Sequence, residues 1–237
     1  MWTFNVTRKL VKLAGYTVLP QEIPQDDESM LALAQQALSD TNEENRYILK
    51  VHKPISAKAP NSVVLTTLRD PRDVLVSYMR FMKQDFEPCL KAINQFTKLY
   101  DHFFDFPQDR LLLIRYSNIT NSPEKVISSI ADFLGLEVEK NAVEKVAKQL
   151  SKRRVQNLIQ KSESSFQKKR KKGKAISPES YVQLRSGDIR IYDKTTGFQS
   201  GHVSNYQDGE WREIFDSSQL KQIENTLGVW LQNNGFA

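Results

Sequence analysis

In the stretch SVVLTTLRDPRDVLVSY (62–78), Arg69, Arg72 and Ser77 have the types and spacing to hold an anion. Residues 63–68 form an apolar run that reads as a strand, and the chain breaks at Arg69 and Asp70 into a helix starting at Pro71. Asp70 suits the capping position and Pro71 the first helical one. Val74, Leu75, Tyr78, Met79 and Met82 recur at helical spacing, so one face packs on a core and the other stays available. In open parallel sheets ligands lie beyond the carboxyl ends of strands, where the unpaired N–H groups of helix N-termini attract anions. A phosphate site fits this placement. So does a plain surface turn in which the arginines pair with Asp70 and Asp73.

A second pair lies in RYILKVHKP (46–54), a mostly apolar run ended by Pro54 that reads as a strand. Side chains in a strand alternate, which puts Lys50 and His52 on one face. A histidine satisfied by a backbone carbonyl at a strand end is the plainer reading of His52 alone.

In order along the chain, these stretches resemble sulfotransferases that use 3'-phosphoadenosine 5'-phosphosulfate (PAPS). RDPRDVLVSY is similar to the family's 3'-phosphate motif, an arginine followed eight positions later by a serine, and KVH resembles its KTH motif. RLLLIRYSNIT (110–120) and the following NSPEKVISSIADFLG resemble the family's RYEDL, a proline-initiated helix and FLG. DGEWREIF (208–215) resembles GDWKNHF, the end of the RKGxxGDWKNxF motif.

The resemblance implies that Arg69 and Ser77 hold the nucleotide's 3'-phosphate and that Tyr116 hydrogen-bonds the adenine, although Ser117 and Asn118 replace the usual acidic pair. It makes His52 the general base for an acceptor hydroxyl and Lys50 a cation near the transferring sulfuryl group. The chemistry agrees: histidines in general can take a proton at cellular pH, and a lysine can stabilise charge developing on oxygen. Gly209 and Trp211 stand in place, but the family's phosphate-gripping arginine, lysine and glycine align with Ser204, Asn205 and Tyr206. Polar groups there can still bond phosphate, less strongly than charge-assisted ones.

The implied fold is α/β, a parallel-sheet P-loop nucleotide-binding sandwich whose first strand is missing. MWTFNVTRKLVKLAGY opens as an amphipathic helix stopped at Gly15, whereas in a βαβ unit a strand precedes its helix. Family members enter this helix through a loop of the type PKSGTTW that cradles the 5'-phosphosulfate; Trp2 matches its closing tryptophan, which stacks on adenine. Met1 is therefore expected to be an internal methionine, with one strand and one loop encoded upstream; a true amino-terminal truncation is the alternative.

The 237 residues suit one domain spanning the chain. A net charge of +6 and a pI near 9.2 favour anionic ligands. The single cysteine, Cys89, excludes an intramolecular disulfide, and no apolar run reaches membrane-spanning length, so a cytoplasmic protein is expected. No Cys or His cluster suggests a metal.

Elsewhere, residues 19–45 read as a loop and short helix whose acidic start, Asp26, Asp27 and Glu28, is assigned no chemistry. Residues 88–107 read as a long helix with His102 at its rim, 110–120 as a buried strand, 140–159 as helix, and the tail as a serine-capped helix. The like-charge run 168–174 is expected to be a mobile basic loop, solvated or drawing in an anionic acceptor or a membrane surface.

The resemblance implies sulfuryl transfer from PAPS to a hydroxyl or amine of a small-molecule or glycan acceptor, releasing 3',5'-ADP without a metal. Two other readings remain: a non-catalytic, truncated nucleotide-binding relic, and a basic nucleic-acid-binding protein. Against the last, no aromatics interleave with the lysine run as a stacking platform needs. The sequence does not indicate an oligomeric state.

Overall fold

The computed structural model describes residues 1–53, 61–184, 187–201, 203 and 206–236. Its elements, in order, are α1 (Trp2–Leu13), β1 (Thr17–Leu19), α2 (Asp27–Ser39), β2 (Asn45–Tyr47), β3 (Val64–Leu68), α3 (Pro71–Met82), α4 (Phe86–Phe104), β4 (Leu111–Arg115) and α5 (Tyr116–Asn121). Then follow α6 (Pro123–Phe133), α7 (Lys140–Gln149), α8 (Lys152–Lys171), β5 (Tyr181–Gln183), β6 (Ile189–Ile191), α9 (Trp211–Ile214) and α10 (Ser217–Asn233). Strands β1 and β2 pair in parallel, as do β3 and β4, while β5 and β6 pair antiparallel. The chain forms two compact units, one of residues 1–60 and 118–203, the other of 61–117 and 204–237.

In the second unit the strand, turn and helix of 62–78 form as their composition dictates. Asp70 caps α3 by accepting the Arg72 backbone N–H at 2.9 Å, Pro71 fills the first helical position, and Lys83 ends the helix in a left-handed conformation at φ 53°. The inward face of α3 carries Leu75 and Val76 into a core with Leu90 and Ile93 of α4 and Ile223, Leu227 and Leu231 of α10. The α10 cap is Asp216 rather than a serine: its carboxylate accepts the Gln219 N–H at 2.8 Å and Gln219 Oε1 accepts the Asp216 N–H at 3.1 Å.

Register decides the geometry of the turn after β3. Val64 pairs with Leu111 and Leu68 with Arg115, so the next residues on the two strands, Arg69 and Tyr116, leave the sheet side by side. The strand expected over 110–120 ends at Arg115, where its partner also ends, and α5 begins at Tyr116.

In the first unit, Tyr192 closes a core with Phe4, Ile23 and Met30 and donates its hydroxyl to the Ile23 and Pro24 carbonyls at 3.0 Å each. The strand expected over 46–54 stops at Tyr47. Its partner β1 is three residues long and is followed by Pro20, which has no N–H to donate, so the ladder closes with the Ile48 N–H on the Leu19 carbonyl at 2.8 Å. Strand alternation therefore does not place Lys50 and His52, which lie beyond β2.

The basic run also differs from expectation. Lys168, Lys169, Arg170 and Lys171 form the last turn of α8 rather than a loop, and only 172–174 lie beyond it. Val155, Ile159 and Phe166 recur at helical spacing on the buried face, and cations in a last turn face the negative end of the helix dipole. Phe166 packs edge-on against Tyr181 with centroids 5.9 Å apart.

Truncating that anchor should release the basic turn. Phe166→Ala is expected to cost about 3 kcal/mol in urea unfolding and to speed amide exchange across residues 160–171. Unchanged exchange there would show that the helix does not depend on its apolar face.

Candidate functional site

Arg69 follows β3 and is enclosed on three sides. Its Nη1 donates to Ser77 Oγ at 3.4 Å, one and a half turns into α3, and its guanidinium lies 4.4 Å from the centroid of the Tyr116 ring. Its remaining edge, Nε and Nη2, donates to a single oxygen of Asp208 at 3.1 and 2.6 Å. Arg69, Ser77 and Tyr116 are thus brought together, and Asp208 is a fourth member that the sequence reading did not select.

Arg72 follows the plain-turn alternative. Its guanidinium is paired with Asp70 at 2.8 to 3.1 Å, donates to the Phe236 carbonyl, and stacks 4.1 Å from the Trp211 ring. Trp211 is buried, with Arg212 at 4.3 Å from the same ring.

What holds Asp208 against Arg69 is Asp73, in the first turn of α3 and only 3 % exposed. One of its oxygens accepts the Tyr206 hydroxyl at 2.6 Å and the Gly209 N–H at 2.9 Å, pinning the chain on both sides of Asp208. Gly209 adopts φ +94°, a left-handed conformation that favours glycine. Gly209 and Trp211 therefore fix this turn in the present structure, and Ser204 and Asn205 lie outside the described residues.

In the first unit, His52 is exposed and its Nδ1 sits 3.0 Å from Oδ1 of Asp27, the first residue of α2. With the proton on Nδ1 directed at Asp27, Nε2 is left as an acceptor. Lys50 is half-buried; burial lowers the pKa of its ammonium, with the Asp27 carboxylate acting in the opposite sense. Asp27 is therefore electrostatically linked to both Lys50 and His52, although the sequence reading gave its acidic cluster no chemistry. Twenty-five residues separate Asp27 from His52, so spacing offered no signal. Trp2 opens α1 and is half-buried. Among the described residues no group of His, Cys, Asp and Glu is arranged to hold a metal ion.

Burial raises the Asp73 carboxyl above its ordinary range, against the lowering effect of the two donated bonds. The folded chain then binds that proton more tightly than the unfolded chain does. The resulting stabilisation is present below the ordinary carboxyl pKa and is lost as pH rises through the raised value. Asp73→Asn, which keeps an acceptor oxygen, should remove this pH-dependent loss. Asp73→Ala removes the acceptor from Tyr206 and Gly209 and should cost about 2–4 kcal/mol. Urea melts across the acid range check both; equal stabilities for the Asn and Ala variants would contradict the role of the oxygen.

The model of the sulfotransferase domain family matches residues 31–235. A flavonol 3-sulfotransferase from Flaveria bidentis is 22% identical over 207 residues, covering 77% of this chain and 59% of its own. The chain thus spans about three fifths of the length of that relative. Among solved structures, retinol dehydratase in complex with retinol and PAP superposes with a TM-score of 0.58 at 18% identity, covering 96% of this chain and 77% of the other. A mouse sulfotransferase complexed with PAP gives 0.53 at 14% identity, covering 98% and 91%. These likenesses show the P-loop-type α/β fold expected from the motifs. The chain belongs to the sulfotransferase domain family.

Proposed function

We propose that the chain is a PAPS-dependent sulfotransferase, with 1–237 working as one catalytic domain. The observation that carries this reading is Arg69 set between Ser77 and the Tyr116 ring at the carboxyl ends of two paired parallel strands, inside the family-matched segment. A guanidinium just ahead of a helix and a hydroxyl one and a half turns into it, converging on each other, suit a phosphate. Two structural neighbours are complexed with PAP, which supports the nucleotide assignment.

In the proposed reaction the acceptor oxygen or nitrogen forms a bond to sulfur as the sulfur–oxygen bond to the 5'-phosphate breaks. The acceptor proton passes to Nε2 of His52, and 3',5'-ADP leaves with the bonding electrons. Asp27 orients the imidazole, and Lys50 in its protonated form offsets charge on the sulfuryl oxygens. Trp2 and Tyr116 are the candidates for contact with adenine. Gly209 and Trp211 hold the neighbouring turn, with Ser204 and Asn205 as polar contacts to the 3'-phosphate.

Charge distribution favours an anionic acceptor, either a small molecule or a glycan. Residues 152–174 hold ten lysines and arginines against one glutamate, Glu163, a local charge of +9; the chain totals +6, so all other residues sum to −3. Such a concentration raises the encounter rate of anions. Among the described residues no helix is long and apolar enough to cross a membrane, and buried Cys89 is a free thiol, which suits a reducing cytoplasm.

A second reading, a nucleotide-binding relic without turnover, is favoured by one observation: Arg69 already has an anionic partner in Asp208. Turnover separates the two. Incubating the chain with sulfur-labelled PAPS and a panel of phenolic, amine and anionic saccharide acceptors should transfer label, and His52→Ala should reduce the rate by at least about a hundredfold while leaving nucleotide affinity nearly intact. Transfer unaffected by His52→Ala would remove it as the base, and nucleotide binding with no transfer to any acceptor would favour the relic.

A further inference from the structure

The family-like motif has lost its phosphate-gripping cations, and the same segment places a carboxylate on the one arginine that remains. The Nε and Nη2 edge of Arg69, the fork that would receive two phosphate oxygens, is spent on Asp208 at 3.1 and 2.6 Å. Nη1 points to Ser77 and one face of the guanidinium is covered by Tyr116, so three of its five N–H groups are engaged within the protein. The pair leaves the site with no net charge from these two groups.

We infer that Asp208 is an internal stand-in for the nucleotide's 3'-phosphate, holding the donor edge of Arg69 until the nucleotide displaces it. The inference rests on the proposed reading of Arg69 as the 3'-phosphate contact. The anatomy suits displacement. The Asp208 side chain is 40% exposed against 18% for Arg69, so the carboxylate can exchange its arginine for water while the guanidinium stays in place. The backbone on either side does not have to move, because the Tyr206 hydroxyl and Gly209 N–H are held by Asp73 and not by Asp208. Only the Asp208 side chain must rotate away.

A carboxylate that competes for Arg69 makes nucleotide binding weaker and more selective. A ligand group must carry more charge than a carboxylate to take the fork, which a phosphate does and a ribose hydroxyl does not. Asp208 would then discriminate 3'-phosphorylated nucleotides from their unphosphorylated counterparts by setting a threshold rather than by adding a contact.

The test is calorimetric titration of the full chain with 3',5'-ADP and with 5'-AMP, which lacks the 3'-phosphate. Asp208→Asn should tighten 3',5'-ADP by roughly fivefold or more, the order expected for removing a half-exposed competing charge, and leave 5'-AMP unchanged. Asp208→Glu should stay near wild type. If wild type binds too weakly to measure, binding gained in Asp208→Asn supports the inference and its absence overturns it. Equal tightening of both nucleotides overturns it as a general charge effect, as does an unchanged or weaker affinity for 3',5'-ADP. Arg69→Ala separates the two levels: binding lost there but unmoved in Asp208→Asn sinks this inference alone, whereas binding that survives Arg69→Ala sinks the 3'-phosphate reading with it.

Discussion

The buried carboxylate of Asp73 is the interaction on which the arginine site depends. It stands in the first turn of α3, where the helix dipole favours negative charge, and it takes a hydroxyl and a backbone N–H from a segment more than 130 residues away. Burying a carboxylate is unfavourable unless its oxygens are bonded, and here that requirement brings two distant segments of the unit together. Once Tyr206 and Gly209 are fixed, Asp208 has Arg69 within reach and Trp211 enters the core with the Arg72 and Arg212 guanidiniums against its ring. The two arginines of RDPRD then diverge in role. Arg72 is spent on local structure, and Arg69 keeps its contacts to Ser77 and Tyr116.

Much of this was legible in the sequence because it is local. The strand, the Asp70 cap, Pro71 and the apolar face of α3 each depend on neighbours a few residues apart; the strand, cap and proline formed as expected, and the face packs through Val74, Leu75, Tyr78 and Met79, with Val76 buried as well. Arg69 and Ser77, eight positions apart, lie 3.4 Å from one another. What failed was set by partners out of range. The run at 46–54 has a strand composition, but a strand extends only as far as its neighbour, and β1 is too short to carry it to His52. The basic run has no apolar period of its own, yet it is helical because Val155, Ile159 and Phe166 ahead of it anchor α8.

The same limit explains the carboxylates. Asp27 and Asp208 sit in stretches whose local reading is a solvated helix start and a turn, and each gains its significance from a residue far along the chain, His52 or Arg69. The gap left by Ser204, Asn205 and Tyr206 was visible as lost positive charge; that Tyr206 would turn inward to Asp73 was not. Sequence spacing finds groups that act on the same turn or strand. It does not find the counterions that decide whether those groups are free.

Every role proposed for this site requires that Arg69 receive a nucleotide phosphate. Thermal unfolding of the chain titrated with 3',5'-ADP tests this most directly, since a ligand at about a hundred times its dissociation constant adds roughly 2.7 kcal/mol of stability. A saturable rise in midpoint that disappears in Arg69→Ala is expected. A folded protein showing no shift at millimolar ligand, or a rise that persists in Arg69→Ala, would contradict it.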